Sequence, residues 1–219
     1  MEQDFLYTKK PDGLSGNNVI TVMGMVVGEC VFSHSVYGEG FYNFEVEIPR
    51  LSEAVDVLPV TISERIIERD NFKVGDAVYI TGQIRSYNNY IEDENRNKLI
   101  LTVFARDCEN VEFDDPRSPN DVFLNGYICK PPIYRTTPFG REIADLLLAV
   151  NRSYNKSDYI PCIMWGRNAR FCEKLNVGDN IRVWGRMQSR GYQKKLSDGS
   201  ISDRIAFEVS ASKIETDIE

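Results

Sequence analysis

The chain is 219 residues long and sets 26 Lys+Arg against 33 Asp+Glu, a formal net charge of −7 with a pI near 5.0. At 42% hydrophobic and 27% charged it has the composition of an ordinary folded chain. It holds no run near the roughly 18 apolar residues of a membrane span, and the first ten residues lack the basic-then-apolar order of a secretory signal, so a cytoplasmic chain is expected.

Residues 1–16, with Asp12-Gly and Ser15-Gly, read as a flexible N-terminal arm. Residues 17–114 follow as a first domain. It opens on Asn18-Val-Ile-Thr-Val-Met-Gly24 and continues through Val57-Leu-Pro59-Val. Ser63-Glu-Arg-Ile-Ile-Glu-Arg69 is a short helix, and Phe72-Lys-Val-Gly75-Asp76 leads into a strand ending near Gly82. Asp114-Asp-Pro-Arg-Ser-Pro119 is polar and proline-bearing, which marks residues 115–120 as a linker.

Residues 121–219 repeat the plan. Asn120–Gly126 resembles the opening block, Tyr159-Ile-Pro161-Cys the second, and Leu175-Asn-Val-Gly178-Asp179 through Gly185 the last, at offsets of 102 and 103. Shared Gly-Asp turns explain one such block but not the ordered set, so the chain is a duplication. In the second copy Val122–Cys129, Glu142–Ala149, Tyr159–Trp165, Asn180–Gln188 and Arg204–Ser210 are strands rich in branched and aromatic residues. Arg167–Leu175 is a helix between the third and fourth, with Gly178 beyond its end. Five strands with one helix between strands three and four, twice over, gives an all-β chain of two tandem OB-fold Greek-key barrels. Such barrels commonly bind oligonucleotides.

A net charge of −7 counts against nucleic acid only as a whole-chain sum. Residues 1–115 hold 10 Lys+Arg and 21 Asp+Glu, a balance of −11, and residues 116–219 hold 16 and 12, a balance of +4. Such asymmetry points to two domains with different tasks. Enzyme chemistry finds no foothold. The cysteines (Cys30, Cys108, Cys129, Cys162, Cys172) are odd in number and form no CxxC, His34 is the only imidazole, and nucleotide-loop, esterase and zinc-protease motifs are absent. No metal, cofactor or catalytic residue is expected.

Over Asp121 to about Ile214 the second copy resembles bacterial single-stranded DNA-binding proteins. The blocks that carry it are Leu124-Asn-Gly-Tyr-Ile128, Pro132-Ile-Tyr-Arg135 with Phe139-Gly140, Leu147-Leu-Ala-Val-Asn-Arg152, Ile163-Met-Trp-Gly-Arg-Asn-Ala169, Val177–Met187 and Ser189-Arg-Gly-Tyr192. The resemblance implies stacking aromatics at Tyr154, Tyr159, Trp165 and Tyr192. Around them lie Arg152, Lys156, Arg167, Arg190, Lys194 and Lys195 for the phosphates. Stacking on aromatic faces beside a basic groove is how strands are held without sequence preference. Alternation along strand four adds a stripe of Arg182, Trp184 and Arg186 opposite Ile181, Val183 and Met187. Trp184 is a candidate either for DNA contact or for a subunit interface.

At the same positions the first copy has Ser52, Val57, Ser63 and Asn89, and its stripe is Tyr79, Thr81 and Gln83. Assembly or partner docking is the expected role of this acidic copy. What the resemblance implies is binding of single-stranded DNA in replication, repair, recombination or mobile-element transfer, within the nucleoid of a bacterium. It also implies replication or repair proteins as partners, and a homodimer that brings four barrels together. A primosome-like OB-fold interaction adaptor and an RNA-binding OB protein stay open at this point.

Overall fold

The computed structural model describes residues 16–50, 52, 54–91, 96–112, 114–195 and 199–216. The expected flexible arm therefore lies outside the described residues except for Gly16. The first half contains β1 (Asn18–Val26), β2 (Val31–Val36), β3 (Glu39–Pro49), β4 (Val55–Ser63), α1 (Glu64–Asp70), β5 (Ala77–Ile91) and β6 (Arg96–Asn110). The second contains β7 (Asn120–Ile128), β8 (Ile133–Thr136), β9 (Glu142–Arg152), β10 (Lys156–Trp165), α2 (Arg167–Cys172), β11 (Asn180–Lys195) and β12 (Ile201–Thr216).

Two ring closures make two barrels. The strands run β3-β4-β6-β5-β1, and a β1–β3 pairing closes them; likewise β7-β11-β12-β10-β9 is closed by β7–β9. Each ring has one parallel contact, β4 with β6 and β10 with β12. Closure removes the exposed strand edges on which open sheets aggregate. Alternate side chains fill the interior: Ile20, Val46, Leu58, Ile80 and Val103 in the first barrel, and Leu124, Leu148, Ile160, Ile181 and Val209 in the second.

Two strands exceed the ten expected from sequence. Short β2 and β8 pair at the outer edges with β3 and β9; all six residues of β2 are exposed, so it lacks the alternation that marks a half-buried strand. The helices fall where the sequence placed them. Ser63 caps α1 by accepting from the Arg65 N–H, and α2 ends at Cys172 rather than running to Leu175.

The barrels join through β1 and β7, which pair antiparallel with Ile20 opposite Val122. Those two residues are equivalent positions of the repeat, so a pseudo-two-fold axis passes between them. Repeat-related side chains prove the symmetry in atomic detail. The Asn18 amide brackets the Ile84 backbone at 2.7 and 2.9 Å, and the Asn120 amide brackets Met187 at 2.7 and 3.0 Å. Gly82 and Gly185 sit at matching β-bulges; a Cβ on either would lie 2.2 Å from the carbonyl oxygen of Phe104 or Ser210.

Candidate nucleic-acid interface

The β9–β10 hairpin presents three of the four aromatics expected to stack. Tyr154 stands at its tip, 94% exposed, on a turn in which it and Asn155 take left-handed backbone angles, φ +64° and +53°. Non-glycine residues rarely adopt that conformation, and here it lifts the ring clear of the sheet. Tyr159 and Trp165 point outward from β10, opposite the core-facing Ile160, Cys162 and Met164, and keep 44% and 37% exposure. The Trp165 indole N–H donates to Ser210 Oγ on β12 at 3.0 Å, so one edge is pinned. Tyr192 lies apart on the β11–β12 hairpin, half-buried. It lines a cavity of about 880 Å³ with Arg204, Phe207 and, from the first barrel, Lys98.

The expected basic residues divide. Lys156, Arg167 and Lys195 are exposed and make no ion pair among the described residues. Arg152 instead approaches Asp158 at 3.6 Å, Arg182 approaches Glu215 at 3.8 Å, and Arg190 donates to Glu208 at 3.2 and 3.3 Å. Lys194 is half-buried beside Tyr192.

The strand-four stripe does not act as one surface. Trp184 packs on Phe123 of β7 with ring centroids 5.1 Å apart, and the Lys213 ammonium lies 4.8 Å over its ring. Arg186 turns toward the other barrel and donates to Asp56 at 3.4 Å and to Gln188 at 3.3 Å.

That contact belongs to a junction that sequence reasoning missed. Asp56, fully buried, accepts from Arg50 at 2.8 and 2.5 Å and from the Ser189 N–H at 2.6 Å across the junction. Burial pushes this carboxyl up, but Arg50 and the Ser189 N–H outweigh it and hold it below the usual aspartate range. The repeat-related Asp158 accepts from the Ser86 N–H at 2.8 Å and from Arg85 at 3.1 Å, again across the junction. A signal was available: Arg50/Arg152 and Asp56/Asp158 are identical at the repeat offset, and in each half the arginine meets the aspartate in a cluster at this junction.

Beside Asp158 lies a recess of about 190 Å³ lined by Asn17, Asn18, Gln83, Arg85, Arg106, Asn151, Arg152 and Ser153. Its walls carry three guanidiniums and one carboxylate. Burial lowers the Arg85 pKa, Asp158 opposes this, and Arg152 and Arg106 lower it further.

Comparison with known proteins places this arrangement. The model of the single-strand binding protein family matches residues 119–217. Single-stranded DNA-binding protein B of Bacillus subtilis is 35% identical over 86 residues, which take in 35% of this chain and 74% of that protein. The chain belongs to the single-strand binding protein family. Single-stranded DNA-binding protein 1 of Staphylococcus aureus is 39% identical over 83 residues, covering 35% of this chain and 50% of that one; the chain thus spans about half the length of such relatives. The wild-type single-stranded DNA binding protein from Thermus aquaticus shares the fold along nearly the whole chain. Its TM-score is 0.72 with 92% of this chain and 93% of that chain covered, at 19% identity. Family membership accounts for the second barrel, and the Thermus likeness extends the same fold to the first. These relatives are named as DNA-binding proteins, and no described helix of this family member is long and apolar enough to cross a membrane.

Proposed function

We propose that the chain binds single-stranded DNA without marked sequence preference, through the second barrel, and protects or organises strands in replication, repair, recombination or mobile-element transfer. The observation that carries this reading is the exposure of Tyr154, Tyr159 and Trp165 along one hairpin. The turn geometry holds Tyr154 in solvent, and Lys156 and Arg167 stand beside these rings with no carboxylate partner among the described residues. Exposed rings attract no ligand by hydrophobic area alone, since each is isolated. Paired with cations along a groove, they match alternating bases and phosphates.

The first barrel, residues 17–114, has an assembly role in this reading: its β1 and its Asp56 hold the second barrel across the junction. Two barrels per chain make a homodimer the natural route to four. In this reading the protein works at the nucleoid of a bacterial cytoplasm. The test is a gel shift of oligo-dT at physiological salt with the full chain and with Tyr154→Ala/Tyr192→Ala. Each stacked base contributes about 1–3 kcal/mol, so the double variant binds more weakly by about 2–6 kcal/mol. Unchanged affinity refutes this face.

A further inference from the structure

By family positions the first barrel is bare, but its surface is not. Phe41 on β3 and Phe104 on β6 point outward and belong to no part of the core. Their ring centroids lie 5.7 Å apart, across β4. His34 on β2 stacks on Phe41 at 5.2 Å with 13° between the planes, and the Arg85 guanidinium lies over Phe104 at 5.6 Å. The outcome is a continuous row of aromatic rings ending on an arginine.

The repeat shows how this row relates to the second barrel. Ser63 is the counterpart of Trp165. Thr61 pairs with Phe104 in the parallel ladder just as Ile163 pairs with Ser210, so Phe104 is the counterpart of Ser210. Trp165 and Ser210, which touch in the second barrel, are therefore Ser63 and Phe104 in the first: the aromatic and the serine have traded strands. Phe41 likewise faces Ser63 in the place where Ile143 faces Trp165. The short Ser63 side chain leaves the gap over which the two phenyl rings meet.

The row leads to the junction. Arg85 reaches from Phe104 to the recess at Asp158, where Arg152 of the second barrel and Arg106 also stand. Arg106 is the extra residue of the β6 bulge, which lies between Ala105 and Asp107 in the pairing with β5. Bulges re-aim side chains, and this one turns a cation toward Asn151, Arg152 and Ser153. Arg106 is exposed and has no ion pair among the described residues. Beyond the recess, Tyr154 and Tyr159 begin the second-barrel surface; the Tyr159 N–H itself donates to Ser86 Oγ of the first barrel.

Resting on the reading of the second barrel above, we propose that the first barrel carries its own contact for single-stranded DNA. Bases stack on the row at its His34 and Phe104 ends, and a phosphate meets Arg106, the one guanidinium of the recess with no carboxylate partner among the described residues, on the way to Tyr154. An aromatic row in line with a recess of net positive charge fits alternating bases and phosphates. It does not fit an apolar protein partner, which would leave the guanidiniums buried without acceptors.

The test uses the full chain, a dT oligomer of about 8 nucleotides that one barrel can hold and one of about 30 that spans both. The variants are H34A/F104A, the ring-retaining F104Y, R106Q, and Y154A/Y192A as the second-barrel reference. For the 30-mer, H34A/F104A binds about 5-fold or more weakly for each stacked base lost, and F104Y binds like wild type. R106Q flattens the salt dependence by about 0.7 in log–log slope. Ultraviolet crosslinking of the wild-type complex, mapped by mass spectrometry, marks peptides containing Phe41 and Phe104 and stays decisive if H34A/F104A does not fold. Loss of 30-mer affinity in Y154A/Y192A alone, with no first-barrel crosslinks, overturns the inference and leaves the second-barrel reading standing. A wild-type chain that binds neither oligomer overturns both.

Discussion

Asp56 is the most informative single position for the way the two barrels are held together. Its carboxylate is fully buried at the junction, and it accepts two bonds from Arg50, one from the Ser189 N–H and a longer one from Arg186. Asp56→Ala leaves two guanidiniums and a backbone N–H without their acceptor. Breaking a buried pair from one side costs about 3–5 kcal/mol. Here the low end applies, because Arg50 and Arg186 keep 24% and 39% of their side-chain exposure and can turn to water. Asp56→Asn retains an acceptor oxygen for Ser189 but loses the charge and turns an amide NH2 toward the Arg50 and Arg186 N–H donors, so it costs about 1.5–3 kcal/mol, the worth of a hydrogen bond to a charged group.

Urea denaturation at pH 7 reads both as a lower midpoint. The sign with pH follows from the depressed carboxyl of Asp56. Its contribution is complete above the ordinary aspartate value near 3.9, and it is lost as the pH falls through the lower folded-state value. The gap between wild type and Asp56→Asn therefore narrows in acid. Asp158, related by the pseudo-two-fold and sharing no partner with Asp56, gives an additive loss in the double variant, within about 0.5 kcal/mol. Equal midpoints for wild type and Asp56→Ala at pH 7 would refute the view that this carboxylate fastens the barrels.

Further outcomes follow from the same geometry. Replacing Lys156, Arg167 and Lys195 together by Gln lowers the log–log salt slope of oligo-dT binding by about 2, at roughly 0.7 per phosphate contact; an unchanged slope removes these residues from the path. Gly82→Ala and Gly185→Ala each place a Cβ 2.2 Å from a backbone carbonyl oxygen, so each destabilises by about 1–3 kcal/mol, the cost of overpacking, measurable by thermal melting. Ser63→Ala removes the cap of α1 and costs about 1 kcal/mol, read by the same melt.

Much of the fold was legible because it repeats. Matching glycines, the Val-Gly-Asp turns and the alternating strands each occur twice, and a pattern that recurs in order outweighs the ambiguity of any single strand. The edge strands β2 and β8 escaped because neither has a buried face to impose a period of two. The exposed aromatics of the second barrel were legible through family positions, and the structure places Tyr154, Tyr159 and Trp165 on one hairpin. Charge was less legible. Arg152, Arg182, Arg186 and Arg190 look like phosphate contacts in sequence, but each has a carboxylate within 4 Å. Strand registers and the approach of the other barrel set those pairs, and both are non-local.

The unequal halves share one frame and fill it differently. Gln83 and Arg85 in the first barrel are matched by Arg186 and Gln188 in the second, so arginine and glutamine exchange places two residues apart on the same outward face. Each barrel thereby still sends one arginine to the buried aspartate of the other. The pseudo-two-fold is kept where it holds the barrels together. It is broken at the recess, where Arg106 is the counterpart of the bulge residue Ser212 and adds a cation on one side only. A net charge of −7 is thus compatible with the proposed strand contact, because Arg106, Lys156, Arg167 and Lys195 have no carboxylate partner among the described residues, while the carboxylates of the junction are neutralised by other arginines. Charge summed over the chain measures neither.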